Sequence, residues 1–129
     1  MLKLTYTETS FYLERLAGSL EEWVATRVTL ALRAGSTLYV EPSTASFLLP
    51  ADLPELVDLE KVMQYHRAEG ITLSVCDADY VEVSLKGTWM TSEPNGEEGV
   101  FVVSSSDRTE FFLCKLWQES QTYVSATQE

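Results

Sequence analysis

Asp77, Asp79 and Glu82 stand close together in Cys76-Asp77-Ala78-Asp79-Tyr80-Val81-Glu82, the best carboxylate cluster in the chain. A hard cation needs several oxygen ligands converging on one point. Two aspartates at a turn and a glutamate on the strand that follows would supply three. The segment lacks the twelve-residue calcium loop and its central glycine, and aspartate is a common turn former in its own right. The spacing leaves open whether the three converge. The single histidine, His66, stands in no recognisable nucleophile setting and reads as a helix-end residue. No Gly-x-Ser-x-Gly elbow exists. Cys76 and Cys114, the only two cysteines, fit no metal or redox spacing. They read as buried small apolar residues, with a disulfide between them as the lesser alternative. The six glycines form neither a dinucleotide fingerprint nor a P-loop. No catalytic, cofactor-binding or metal-ligating residue is therefore assigned, and no cofactor is expected.

The candidates that remain are for interaction. Val40-Glu41-Pro42-Ser43-Thr44-Ala45-Ser46-Phe47-Leu48-Leu49-Pro50 brackets hydroxyl residues and an apolar triplet between two prolines. Its structural reading is a turn at Pro42-Ser43, a short edge strand over 46–49, and Pro50 delaying the next helix. Its functional reading makes Ser43, Thr44 and Phe47 contact residues on a loop. Trp89 joins them, because an exposed tryptophan marks interfaces even though a strand tryptophan is more often core. Glu93, Glu97 and Glu98 gather in another loop and read as a solvated hairpin tip.

These residues depend on elements whose periods are legible. A helix is expected over 53–67. Asp52 and Glu55 have capping-box spacing, and Pro54 suits a first turn. Leu56, Leu59, Val62 and Met63 recur on one side. A second helix is expected over 108–122, with Asp107 and Glu110 at capping-box spacing and Phe112, Leu113, Leu116 and Trp117 as its apolar stripe. The tail from about 124 should fray. Between the two helices the period changes to two. Ile71, Leu73 and Val75, then Val81, Val83 and Leu85, alternate with polar residues as half-buried antiparallel strands do. Residues 88–91 and 99–104 read as two further strands joined across an Asn95-Gly96 turn. The first half is ambiguous. Ser19 and Glu22 cap a short helix near 19–26, and the alternation of Val28, Leu30 and Leu32 then suggests a hairpin of 27–33 and 37–41. A single helix over 20–33 is the competing reading. Residues 1–6 read as a strand, and 11–17 as either strand or helical turn. The expected fold is α+β: an antiparallel sheet of five to seven strands packed by two main helices, with a short third helix near 19–26.

The chain has 129 residues, 45% of them apolar and 22% charged, the composition of one globular domain. Such a length buries about two-thirds of its unfolded surface, so the core needs no metal or disulfide. No linker or repeat divides it, and residues 1–129 read as a single domain. Nine basic residues face twenty acidic ones, a net charge of -11, and the basic residues form no run. Nucleic acid and anionic membrane are both disfavoured, because binding either rests on clustered cations. No apolar run reaches the length of a membrane span or a signal peptide, which favours a cytoplasmic protein.

Ser19-Leu20-Glu21-Glu22-Trp23-Val24, the stretch from Val40 to Pro50, Glu82-Val83-Ser84-Leu85-Lys86-Gly87-Thr88-Trp89 and Glu110-Phe111-Phe112-Leu113 resemble a family of small cyanobacterial proteins with no assigned activity. The resemblance covers nearly the whole chain. It implies a cytoplasmic setting in a cyanobacterium and transfers no site residue. Two functions from different classes follow. One is a non-enzymatic interaction or regulatory domain that binds another protein or a second copy of itself. The other is a small-ligand-binding or enzymatic domain with a pocket between helix and sheet. Self-association has a geometric motive. A helix covers about 10 Å and strands lie about 4.8 Å apart, so two helices shield only about four strands. A third helix, a polar sheet face or a homodimer must cover the rest.

Overall fold

The structure, a computed structural model, describes residues 1–66 and 70–127, and side chains within 1–64 and 70–118. The elements run β1 (Leu2–Tyr6), β2 (Phe11–Arg15), α1 (Leu20–Arg33), β3 (Tyr39–Pro50), α2 (Glu55–His66), β4 (Ile71–Val75), β5 (Tyr80–Thr91), β6 (Gly99–Val103) and α3 (Asp107–Thr127). The fold is α+β. Its antiparallel sheet has the strand order β2-β1-β6-β5-β3, and β4 also pairs with β5. Contacts gather into two units, residues 1–45 with 86–104 and residues 46–85 with 105–129.

The first unit is organised around β1. It pairs with β2 through Leu4↔Leu13 and with β6 through Leu4↔Phe101, so Leu2 and Leu4 lose all contact with solvent. Residues 11–15 are thus strand. The β1–β2 turn closes on Thr7, whose N–H donates to the Ser10 carbonyl at 2.9 Å and whose Oγ1 accepts the Ser10 N–H at 3.2 Å. On one face of this sheet Met1, Met90 and Val102 are buried, with Leu16, Leu20, Trp23, Val24, Leu38 and Val100 packed against them.

The short helix and following hairpin expected over 19–41 do not form. One fourteen-residue helix, α1, takes up residues 20–33 instead, as the competing reading had it, and residues 39–41 begin β3. Ser19 caps it, accepting the Glu22 N–H at 3.2 Å. Thr26 and Thr29 donate their hydroxyls to the Glu22 and Ala25 carbonyls at 2.8 and 2.9 Å, which accommodates β-branched residues within a helix. At the far end Gly35 takes a φ of +73°, while the Ser36 N–H reaches the Ala31 carbonyl and the Gly35 N–H the Leu32 carbonyl. That is a Schellman stop, where glycine adopts the left-handed conformation without strain. Gly35-Ser36, read as a hairpin turn, is the end of a helix.

Two other boundaries differ from expectation. No turn forms at Pro42-Ser43, because β3 runs unbroken for twelve residues. It ends the strand order, where proline is tolerated. The segments 81–86 and 88–91 are likewise one strand, β5. Gly87 marks the place where its backbone comes so close to β6 that a Cβ would collide with the Val102 carbonyl oxygen and the Phe101 ring. The loop beyond β5 turns at Asn95, whose φ is 61°, as the Asn-Gly signal indicated.

In the second unit α2 packs on α3. Leu56, Leu59 and Val62 of α2 and Leu113 and Leu116 of α3 are buried, as are Ile71, Val83 and Leu85 of the β4–β5 hairpin. The α3 cap is Ser106 rather than Asp107. Ser106 Oγ accepts the Thr109 N–H at 3.3 Å and its carbonyl accepts the Glu110 N–H at 3.0 Å. The helix continues to Thr127, through the start of the segment expected to fray. The expected last residue of the 53–67 helix lies outside the described residues, as does the His66 side chain. Cys76 is exposed and Cys114 half-buried, with no disulfide between them, so Cys76 is not the buried residue expected.

Candidate functional site

A cleft of about 510 Å³ opens in the first unit between α1 and the sheet. Helical spacing builds one wall, because Trp23, Arg27 and Ala31 follow one another at intervals of four and share a face of α1. Lys3, Met90 and Val100 from three strands, with Leu38 ahead of β3, contribute from the other side. The cleft exists because α1 lies loosely on the sheet. None of its residues is fully buried, and Trp23, Val24 and Val28 are only half so.

Trp23 holds two cations. The Arg27 guanidinium lies 4.9 Å from its ring centroid and the Lys3 ammonium 5.7 Å. Lys3 is neutralised by Glu14 at 3.2 Å. Arg27 has no carboxylate partner among the described residues and is exposed. Two other polar residues of the lining are engaged. Thr91 Oγ1 donates to the Glu98 carbonyl at 2.8 Å, and the Glu98 carboxylate accepts the Glu8 N–H at 3.2 Å. Burial pushes the Tyr6 phenol above its ordinary value, so it stays protonated at neutral pH. Trp23 and Arg27 also line a second cleft of about 460 Å³, with Ser19, Glu22 and Leu30.

Residues 1–121 match the model of the Alr0857-like family. The chain belongs to that family. No curated protein and no solved structure matches it. The Alr0857-like match spans every residue lining the cleft.

The interaction candidates are dispersed. Ser43 is half-buried and Thr44 exposed on β3. Phe47 is buried in the second unit, its ring edge-to-face with Trp117 at 6.1 Å. Trp89 is half-buried and meets Tyr6 edge-to-face at 5.6 Å. Asp77 acts as the turn former that its residue type suggests. Its Oδ1 accepts the Asp79 and Tyr80 N–H groups at 2.7 and 2.9 Å. Glu82 accepts the Ser84 hydroxyl at 3.1 Å, and no acidic, cysteine or histidine group able to hold a metal occurs among the described residues. No helix there is long and apolar enough to cross a membrane.

Lys3, Trp23, Arg27 and Met90 were absent from the sequence-level candidates. One signal for them existed, the pair Trp23 and Arg27 at i,i+4. It becomes visible only once 20–33 is read as a single helix.

Proposed function

We propose that the chain is a non-enzymatic regulatory domain that binds a small molecule in the cleft beneath α1. The observation that carries this reading is a helix laid over Met1, Met90 and Val102 with none of its own residues fully buried, leaving an open cavity of about 510 Å³. Ligand sites commonly measure about 300–1,000 Å³ and combine an apolar lining with a few polar groups. The role is binding rather than proton transfer because Arg27, which has no carboxylate partner among the described residues, presents a fork of N–H donors and no acceptor. The cyanobacterial and cytoplasmic setting rests on the sequence resemblance.

The test is a panel of small metabolites followed by thermal melting and by the Trp23 indole N–H resonance. A true ligand raises the melting temperature with concentration, because it binds the folded state alone. It also moves the Trp23 resonance while leaving Trp117 in place. A panel in which no member does both overturns the reading.

The reading of the chain as a partner for other protein, including itself, is favoured by a separate observation. β2 ends the strand order and carries no proline, and its Tyr12 is 60% exposed. β3, at the other end, is blunted by Pro42 and Pro50. Antiparallel pairing of two β2 strands about Leu13 would set Tyr12 opposite Glu14 and Phe11 opposite Arg15, with no like charges facing. Sedimentation at micromolar concentration and physiological salt should then give twice the 14.5 kDa protomer mass. A single 14.5 kDa species excludes the pairing.

A further inference from the structure

The charge inside the cleft runs against the charge of the chain. Acidic residues outnumber basic ones twenty to nine, yet two of those nine, Lys3 and Arg27, line this one cavity. They are held there by the same indole ring, at 5.7 and 4.9 Å. Lys3 already has a counter-ion in Glu14. Arg27 has none among the described residues, although its planar fork of donors is the group best matched to a carboxylate or phosphate. The cation–π contact with Trp23 restrains that fork while its N–H groups have no carboxylate partner among the described residues. The lining also offers apolar surface, from Ala31, Leu38, Met90 and Val100. The one acidic side chain of the lining, Glu98, accepts the Glu8 N–H at 3.2 Å and so already has a backbone donor of its own.

From this arrangement we propose that the cleft beneath α1 is specific for small organic anions, with an oxyanion head on the Arg27 guanidinium and an apolar body against Leu38, Met90 and Val100. Trp23 positions Arg27, while Lys3 stays paired with Glu14. The second cleft along α1 is not the site. It shares Arg27 but has no second cation, and it is lined by the acidic Glu22. The inference deepens the small-ligand reading and rests on it.

Phenylacetate, phenyl phosphate and the neutral phenylacetamide, titrated calorimetrically and by the Trp23 indole N–H resonance, test it. The two anions distinguish a carboxylate head from a phosphate head. At least one should bind about tenfold more tightly than the amide, the difference expected of one charge-assisted pair in a partly exposed site. Arg27→Ala should abolish that advantage. Arg27 is exposed and alanine suits a helix, so the variant keeps its fold. Arg33→Ala, at the end of the same helix and outside the cleft, should leave the advantage intact. If the amide binds as tightly as both anions, or if Arg27→Ala retains the preference, the anion inference is wrong and the ligand cleft stands. If none of the three moves the Trp23 resonance, the anion inference fails. A metabolite panel that also fails then removes the cleft reading with it.

Discussion

Gly87→Ala should destabilise the protein by about 3 kcal/mol or more, a large part of the roughly 5–15 kcal/mol that holds a domain of this kind together. A Cβ at this position has nowhere to go. It would meet the Val102 carbonyl oxygen and the Phe101 ring together. Val102 pairs with Thr88, the residue after Gly87, and both Phe101 and Val102 are buried, so the β5–β6 ladder must part for the methyl group to fit. Urea denaturation measures the loss. Removing the ring does not relieve it, because the closer obstacle is backbone, and Gly87→Ala in a Phe101→Ala background should remain less stable than Phe101→Ala alone. A denaturation midpoint unchanged by Gly87→Ala would mean that the two strands do not approach as closely as the structure has them.

Leu116→Ala should cost about 2–5 kcal/mol, the range for truncating a buried leucine in a packed core. Leu116 and Leu113 lie one turn apart on α3 and both are wholly buried. α3 packs on α2, whose Leu59 is equally inaccessible. The cost has two parts, the lost transfer of the side chain from water and the cavity left behind. Leu116→Met keeps most of the volume and should cost less than about 1.5 kcal/mol. Phe111→Ala, on the same helix but 57% exposed, should change stability by no more than about 0.5 kcal/mol. Equal effects from Leu116→Ala and Phe111→Ala would place the apolar stripe of α3 on the wrong side.

The sequence was most informative where one period acted alone. Leu56, Leu59 and Val62 in α2, and Leu113 and Leu116 in α3, repeat at helical spacing without competition, and all five are buried. Between residues 20 and 33 two periods coincide. Val28, Leu30 and Leu32 alternate as a strand would, yet Leu30 and Leu32 are 49% and 71% exposed on flanks of α1. Local hydrogen bonds decided the outcome, through the Ser19 cap, the threonine back-bonds and the Schellman stop at Gly35. Composition does not weigh such terms. Strand lengths were underestimated for a related reason. Proline and glycine read as punctuation, but Pro42 sits within a strand at the end of the sheet and Gly87 is required by the closeness of a neighbouring backbone. The cleft was the least legible feature. Its walls come from Lys3, from Trp23 to Leu38 and from Met90 to Val100, and only strand pairing brings such distant segments together.

The loose seating of α1 also bears on how the molecule breathes. Amide hydrogen exchange reports the free energy needed to open each hydrogen bond, and that energy follows local burial. β1 is anchored on both sides by strands and by the fully buried Leu2 and Leu4. α1 has no such anchor, and Gly18 and Gly35, both with positive φ and with open space where a Cβ would stand, flank it. Its amides should therefore exchange through partial openings in which the helix lifts while the strands stay closed. An occupant touching both Trp23 and the sheet would have to be released before the helix could lift. Binding would then slow exchange along the whole of α1, including turns that the ligand never touches.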